Sequence, residues 1–239
     1  MQRVFASIEN NKVVLSEKDE RHLRHVLRLK VGEEVEVVSE GKSYLSRVSR
    51  IEPFALEIVA PITENRELDH SLTLAWSLLK GENNDWIVMK GTELGVTEFL
   101  PFISDRTIIK ADLHKEDNRL LRMRKIVESS SMQCRRSIIP EVKEYQRLSE
   151  VLDLPFDHKI IAYEGMNGES KTLIKLMKGI QKGESILLLI GPEGGFSDKE
   201  VALCVEKGCE MVSLGRRILR AETAAIYGAA LLGALSEEE

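Results

Sequence analysis

The chain has 239 residues, of which 43% are hydrophobic and 31% are charged, and its formal net charge is −5. This composition is typical of a soluble globular protein with room for one large domain or two unequal ones. No apolar stretch approaches the ~20 residues that a membrane span needs, and the N-terminus lacks the apolar core of a signal peptide. We therefore expect a cytoplasmic protein without a membrane attachment.

The cysteines give no sign of a disulfide framework or of a metal centre. Cys134, Cys204 and Cys209 are an odd and widely spaced set. No Cys or His pairing has the spacing of a zinc site, so no metal is expected.

Positive charge is concentrated in two stretches of this acidic chain. Residues 106–136 carry nine Lys or Arg against four Asp or Glu, and residues 21–30 carry four Lys or Arg, two His and no acid. Because charge acts over short distances in physiological salt, a local basic patch is able to bind phosphate. A solvated surface without a partner is the alternative for either stretch.

The N-terminal third is predicted to contain one helix. Ser16 and Asp19 have the spacing of a capping box, so a helix begins after Ser16. The inward-facing residues of this helix are expected to be Leu23, Val26 and Leu27. Its arginines form a stripe on another face, at Arg21, Arg24 and Arg28.

Three short segments after this helix are predicted to be strands of a small antiparallel barrel. Residues 34–38, 43–51 and 54–60 are rich in β-branched and aromatic side chains, and Glu40-Gly41 separates the first two as a hairpin turn does. Polar residues follow at 61–70. We therefore place a first domain at residues 1–65 and a second at residues 70–239.

The second domain alternates strand and helix patterns, which predicts an α/β fold with a mostly parallel sheet. The predicted strands are residues 72–79, 99–104, 158–164, 185–190 and 210–214. The predicted helices include residues 84–95 and 117–134. In the second of these, Leu120, Leu121, Ile126 and Val127 are expected to face inward, and Arg119, Arg122 and Arg124 largely outward.

A glycine-rich loop follows the strand at 185–190. Gly191, Gly194 and Gly195 permit close approach of a ligand and positive φ, and Ser197 with Glu200 has capping-box spacing, so a helix begins just after Phe196. Ligands of parallel sheets bind at the carboxyl ends of the strands, where this loop lies. The loop is neither a Walker A motif nor GxGxxG. A structural turn and a ligand loop are both compatible with these residues.

A second loop of the same kind follows the strand at 210–214. Leu214-Gly215 leads into a polar segment and then a helix at 222–235 whose small residues allow close packing against another backbone. Glu222 and Thr223 lie near the N-terminus of this helix, where acidic and capping groups are favoured. A local ion pair between Arg220 and Glu222 that fixes the turn is the alternative to a functional role. Two such loops suit one shared ligand.

The segments IGPEGGFSDKE (190–200) and SLGRRILRAETA (213–224) together resemble the signature of the RsmE family of the SPOUT superfamily. Further blocks resemble that family in the same order along the chain. They are the N-terminus with Arg3, residues 21–37, 90–107, 133–142 and 161–164. One block departs from the pattern, since residues 129–132 are Ser-Ser-Ser-Met where the family has an acidic run.

The resemblance implies an N-terminal PUA-like, RNA-binding barrel and a C-terminal SPOUT domain with a deep trefoil knot. It also implies S-adenosyl-L-methionine as cofactor, a homodimer formed through the knotted domain, and methylation of uracil N3 in 16S ribosomal RNA of the small ribosomal subunit. The residues that it assigns to the cofactor are Tyr163, Glu164, Leu189, Ile190, Gly191, Pro192, Glu193, Gly194, Gly195, Leu214, Gly215, Ile218, Leu219 and Thr223.

Methyl transfer to uracil N3 requires that the N3 proton leave, so a cation that stabilises the developing anion assists the reaction. We expect Arg220 in this catalytic role and Glu222 as the residue that orients it. The expected RNA contacts are Arg3, Arg21, Arg24, Arg28, Arg106 and Arg136. Alternative functions are a ribose 2′-O-methyltransferase of the SPOUT type, a catalytically silent RNA-binding protein of ribosome assembly, and a nucleotide-binding protein that does not act on RNA.

Overall fold

The computed structural model describes residues 1–10, 12–107, 113–163 and 171–237. By their internal contacts these residues form two units. Unit 1 contains residues 1–67 together with 132–138, and unit 2 contains residues 68–131 together with 139–239. None of the helices in the described ranges is both long and apolar enough to cross a lipid bilayer.

The described residues of unit 1 form six strands. They are β1 (Gln2–Phe5), β2 (Ser7–Glu9), β3 (Lys12–Val14), β4 (Glu34–Ser39), β5 (Lys42–Ile51) and β6 (Phe54–Ile62). The three strands predicted from the sequence are confirmed as β4, β5 and β6. These three strands and β1 form one sheet in the order β1-β4-β5-β6, and β2 pairs with β3 in a separate antiparallel ribbon. The sheet is not wholly antiparallel as expected, because β1 runs parallel to β4.

The hairpin between β4 and β5 follows from its two turn residues. Glu40 has φ 49° and Gly41 has φ 74°, and the flanking residues Ser39 and Lys42 pair directly. A two-residue turn with positive φ at both positions has the twist that antiparallel strands require. The predicted turn at Glu40-Gly41 is therefore confirmed, with glycine at the position of larger φ.

The helix of unit 1 begins as predicted but ends differently. The Ser16 hydroxyl accepts a hydrogen bond of 3.1 Å from the Asp19 amide, and α1 (Glu17–Arg21) continues into a π-helical turn (His22–Val26). The wider turn rotates Val26 outward, so its side chain is 64% exposed and the prediction that it faces inward is wrong. Arg28, with φ 54°, lies beyond the helix and is not part of a helical stripe.

Within its described residues, unit 2 contains one sheet of eight parallel strands. They are β7 (Ser71–Ser77), β8 (Glu98–Ile103), β9 (Glu141–Val142), β10 (Gln146–Arg147), β11 (His158–Ala162), β12 (Lys171–Thr172), β13 (Ser185–Ile190) and β14 (Glu210–Ser213). The order is β10-β8-β7-β13-β11-β14-β12, with β9 paired to β8. The predicted α/β class and the five longer strands are confirmed. The two-residue strands β9, β10 and β12 were not expected, because two residues carry no periodic pattern.

Helices cover both faces of this sheet. They are α2 (Asn83–Glu93), α3 (Leu113–Gln133), α4 (Leu148–Asp153), α5 (Leu173–Met177), α6 (Asp198–Glu206) and α7 (Ala221–Gly233), followed by a 3₁₀ turn (Ala234–Glu237). Alternate residues of β13 belong to two different core clusters, as expected for a strand buried on both sides. The trefoil knot that the resemblance implies stays a prediction.

The buried stripe of α3 differs from the predicted one at Leu121 and Met123. Leu120, Met123 and Val127 are buried and lie three and four residues apart, which places them on one helical face. Leu121 lies off this stripe and is 53% exposed, so its predicted inward position is wrong.

The small residues of α7 allow the helix to approach its own sheet. A Cβ atom at Gly228 would lie 2.6 Å from Leu188 Cδ2 on β13, so a larger residue there would have to displace the buried Leu188 side chain. Ala225 and Ala229 are fully buried on the same side. Much of the small-residue face therefore packs within the protomer, while Tyr227 is exposed on another face.

Candidate active site

Three neighbouring strands of unit 2 end beside one cavity of about 750 Å³. In the sheet β11 lies between β13 and β14, and all three run parallel, so Tyr163, which follows β11, and the loops after β13 and β14 lie at one edge. The described residues that line the cavity are Asn83, Arg106, Ala162, Tyr163, residues 190–196, Asp198, residues 213–222 and Ala224. The two loops predicted from the sequence therefore share one cavity.

The loop after β13 is a tight turn held against the core. Gly195, with φ 68°, donates its amide to the Pro192 carbonyl oxygen at 2.9 Å. A Cβ at Gly191 would lie 2.9 Å from the ring of Phe196, which is buried and stacked on Phe102. The loop is thus a structural turn and a cavity wall at once, so the two alternatives left open by the sequence do not exclude each other.

The helix after this turn begins as predicted. The Ser197 hydroxyl accepts the Glu200 amide at 3.3 Å, and the Glu200 carboxylate accepts the Ser197 amide at 2.8 Å. This capping box fixes the point at which the loop becomes α6.

The same cap also holds the loop after β8. Glu200 accepts the Asp105 amide at 2.9 Å, and the Ser197 hydroxyl donates to the Asp105 carboxylate at 3.0 Å. The next residue, Arg106, donates from Nη1 to the Gly194 carbonyl oxygen at 3.0 Å. Arg106, expected from the sequence as an RNA contact, is therefore a wall of the cavity.

The loop after β14 is fixed at both ends and exposed between them. The Ser213 hydroxyl accepts the Gly215 amide at 3.1 Å, and Gly215 has φ 127°. At the other end the Arg220 carbonyl oxygen accepts the Ala224 amide at 2.8 Å, which begins α7. Between these anchors Ile218 is 82% exposed.

Arg220 and Glu222 both line the cavity, at the start of α7. Among the described residues the two side chains form no ion pair with each other, so the alternative of a local pair that fixes the turn is not what the structure contains. The turn is fixed instead by the backbone and by Ser213. The Arg220 guanidinium is exposed toward solvent beside the cavity.

Most of the residues assigned to the cofactor lie at this cavity. Those that line it are Tyr163, Ile190, Gly191, Pro192, Glu193, Gly194, Gly195, Leu214, Gly215, Ile218 and Leu219. Two others do not line it in the described part of the chain. Leu189 is fully buried in the core, because neighbouring residues of a strand point to opposite faces, and Thr223 is exposed one position past the last lining residue of the loop. Glu164 lies outside the described residues.

Several lining residues were not assigned to this site from the sequence, among them Asn83, Asp198, Arg216 and Arg217. The arginine pair lies inside the signature segment 213–224, so the segment itself was a signal for it. Asn83 begins α2, which follows β7, and β7 pairs with β13 in the sheet. Nothing near Asn83 in sequence indicates this proximity.

The arginines expected to contact RNA differ in their availability. Arg21 and Arg28 are exposed. Arg24 is partly buried and its guanidinium pairs with Glu52. Arg3 and Arg136 have buried side chains, so the structure contradicts the expectation that they offer a surface to RNA phosphates.

Both buried arginines belong to ion pairs of unit 1. Arg3 Nε lies 3.2 Å from Glu36 Oε1, and burial lowers the pKa of Arg3 although Glu36 opposes the shift. The Arg136 side chain, 3% exposed, donates to Glu67 from Nη2 at 2.6 Å and from Nε at 2.9 Å. Glu67 also accepts the Ser137 amide at 2.8 Å. Removal of either partner of such a buried pair would destabilise unit 1, because the remaining charge would be left uncompensated.

Comparison with known proteins agrees with this geometry. A family model described as RNA methyltransferase domain matches residues 66–233, and one described as RNA methyltransferase PUA domain matches residues 15–59. A protein of Bacillus subtilis named ribosomal RNA small subunit methyltransferase E is 32% identical, over 95% of this chain and 94% of its own length. The chain belongs to the ribosomal RNA small subunit methyltransferase E family.

Two further relatives support the assignment. The Aquifex aeolicus protein of the same name is 33% identical, over 93% of this chain and 95% of its own length. The crystal structure of a ribosomal RNA small subunit methyltransferase E from Neisseria gonorrhoeae, bound to S-adenosyl methionine, superposes with a TM-score of 0.83 and 30% identity over 98% of each chain. The RsmE resemblance seen in the sequence is confirmed.

Proposed function

We propose that this protein transfers the methyl group of S-adenosyl-L-methionine to N3 of one uracil in 16S ribosomal RNA of the small ribosomal subunit. The observation that carries the proposal is that the loops after β13 and β14 line one cavity together with Tyr163, which follows β11. The names of the relatives support ribosomal RNA of the small subunit as substrate, and the Neisseria structure supports the cofactor.

The cavity fits a cofactor of this kind. Its volume of about 750 Å³ is within the range of small-molecule sites, roughly 300–1,000 Å³. Gly191, Gly194 and Gly215 place backbone without a Cβ along its wall, where a flat ligand is able to approach closely. Leu214, Ile218 and Leu219 supply apolar surface. The bound cofactor would supply an electrophilic methyl group on a sulfonium sulfur.

The part of this chain in the reaction is to orient uracil and to stabilise its anion. A bond forms between N3 and the methyl carbon as the carbon–sulfur bond breaks, and S-adenosylhomocysteine is the leaving group. The N3 proton passes to water before or during attack, because a protonated imide nitrogen has no free lone pair. Arg220 is exposed beside the cavity and is not paired with Glu222. Its guanidinium would stabilise the negative charge that develops on the uracil oxygens. Glu222 lines the same cavity two residues further on, and its proposed role is to pair with the guanidinium and orient it once the RNA is bound.

We assign delivery of the RNA to residues 1–65 and the chemistry to residues 70–239. Exposed Arg21 and Arg28 are the cations of the first part that are available to phosphates. A substrate of this kind would place the protein in the cytoplasm, where ribosomes are assembled.

We also propose that the protein forms a homodimer through its methyltransferase domain. Helices α2 and α7 pack against each other, yet each leaves an aromatic side chain exposed, Trp86 on α2 and Tyr227 on α7. Exposed aromatic surface of this kind is enriched where proteins associate. Analytical ultracentrifugation tests the proposal, since a monomer at micromolar concentration would contradict it.

The substrate is tested by mass mapping of 16S ribosomal RNA from a strain that lacks the gene. One 3-methyluridine should be missing and should return with the wild-type gene but not with Arg220→Ala. Lys178→Ala, an exposed residue of unit 2 away from the cavity, is the matched control and should restore the modification. An unchanged RNA in the deletion strain would refute the substrate, and the absence of heat with S-adenosylhomocysteine at millimolar concentration would refute the cofactor.

A further inference from the structure

The cavity wall carries more cationic groups than the cofactor alone explains. Four guanidinium groups line it, on Arg106, Arg216, Arg217 and Arg220. Arg106 is bound to the Gly194 carbonyl oxygen, and Arg220 is assigned above to uracil. Arg216 and Arg217 form no ion pair with any described residue, and both are exposed.

The charges of the cofactor do not account for this arginine pair. S-adenosylmethionine has one carboxylate against two positive centres, its amino group and its sulfonium. Those positive centres are opposite in charge to the Glu193 and Asp198 carboxylates, which also line the cavity. The anions that remain in the proposed reaction are the phosphates of the RNA strand, each of which carries one negative charge.

The loop that carries Arg216 and Arg217 suits a contact with a strand that enters the cavity. Its ends are fixed, by Ser213 before it and by the first turn of α7 after it. The residues between project into solvent at the cavity, and Ile218 beside the pair presents apolar surface. Two cations next to an exposed apolar side chain match the chemistry of an unpaired nucleotide, which has charged phosphates and flat base faces.

We propose that Arg216 and Arg217 bind the phosphates on either side of the target uridine and thereby position it in the cavity. The inference rests on the proposed function, because the phosphates that the two arginines bind belong to the RNA substrate proposed for the same site. The two arginines are positioning residues, because their contacts are with the strand and not with the reacting atoms. Binding of these phosphates would fix the RNA backbone at the point where the nucleotide is unstacked, and the base would then be held in the cavity.

The test uses the variant Arg216→Gln/Arg217→Gln, with Lys175→Gln/Lys178→Gln as a control. The control removes the same charge from exposed positions of unit 2 that do not line the cavity. Binding of unmethylated 16S ribosomal RNA is measured between 50 and 200 mM salt, methylation is measured as KM and kcat, and affinity for S-adenosylhomocysteine is measured by calorimetry. Thermal melting verifies that each variant is folded, and the two single variants serve if the double variant is not.

For a single strand, each lost phosphate contact reduces the magnitude of the slope of log K against log salt concentration by about 0.7. The slope should therefore fall in magnitude by about 1.4 in the double variant and by about 0.7 in each single variant. KM for RNA should rise about tenfold or more while kcat changes less, and S-adenosylhomocysteine should bind as in the wild type. The control should match the wild type in every measurement.

Two results would overturn the inference. One is a salt slope and KM equal to those of the wild type, and the other is weakened S-adenosylhomocysteine binding with an unchanged slope, which would assign the pair to the cofactor. A failure of the proposed function itself is recognised separately, since the wild-type protein would then fail to methylate the RNA. In that event the binding slopes still decide whether the arginine pair contacts phosphates.

Discussion

Gly191 gives the most direct test of how the cavity wall is built, because its lack of a side chain is required by Phe196. In Gly191→Ala the new Cβ would lie 2.9 Å from Phe196 Cδ2 and 3.0 Å from Cε2. The ring is buried and stacked on Phe102, with centroids 6.3 Å apart, so it has little freedom to withdraw. The backbone of the loop must therefore move.

Overpacking of this kind costs about 1–3 kcal/mol. If the displaced loop must return to its original position to bind the cofactor, the same cost appears in the dissociation constant, which rises about fivefold to a hundredfold because 1.4 kcal/mol is a factor of ten. Calorimetry with S-adenosylhomocysteine measures the change. Gly179→Ala is the matched control, since its Cβ would lie 3.6 Å from the Leu176 carbonyl oxygen, an ordinary contact.

A double-mutant cycle with Phe196→Val separates the clash from a general effect of alanine in the loop. Valine lacks the ring atoms that the new Cβ meets, so Gly191→Ala should weaken binding much less in that background. Additive effects of the two substitutions, or a Gly191→Ala variant that behaves like Gly179→Ala, would refute the explanation.

Two further predictions concern stability. Glu67→Ala should destabilise unit 1 by about 3–5 kcal/mol by leaving Arg136 buried without its carboxylate, and hydrogen exchange of residues 132–138 should accelerate at least a hundredfold; an unchanged exchange rate would contradict the role of the pair. The Ser185 hydroxyl and amide hold the pKa of Asp157 below its ordinary value of 3.8, so this interaction stabilises the fold above pH 3.8 and is lost as the pH falls through the lower, folded-state pKa. Ser185→Ala should raise that pKa toward its ordinary value in an NMR titration of Asp157, and no change would contradict the assignment.

The parts of the fold that follow from local patterns were predictable from the sequence. Ser16 and Ser197 cap helices because each hydroxyl accepts a hydrogen bond from the amide three residues later. Glu40 and Gly41 form a turn because both adopt positive φ. The longer strands of unit 2 were predictable because their apolar runs are bounded by turns. The meeting of the loops after β13 and β14 followed from the rule for the carboxyl ends of parallel strands.

Features set by distant partners were not predictable. Nothing near Arg136 in sequence indicates that it pairs with Glu67, 69 residues away, and Arg3 pairs with Glu36 on the neighbouring strand. An arginine in such a pair has the same local sequence as one that binds phosphate, so both were expected at the RNA surface. Val26 was misplaced because its position depends on a π-helical turn that the periodicity of an α-helix does not anticipate.

The pairing of Glu67 with Arg136 also has a consequence for the order in which the protein is made. Unit 1 contains residues 132–138, although its other residues end at 67. During synthesis residues 1–67 emerge long before Arg136, so the Glu67 carboxylate stays exposed to water until Arg136 has been made. Domains that fold from the N-terminus as they emerge are the general pattern. A fragment that ends at residue 67 should lack part of unit 1. This unit should reach its final stability only when residue 138 has left the ribosome.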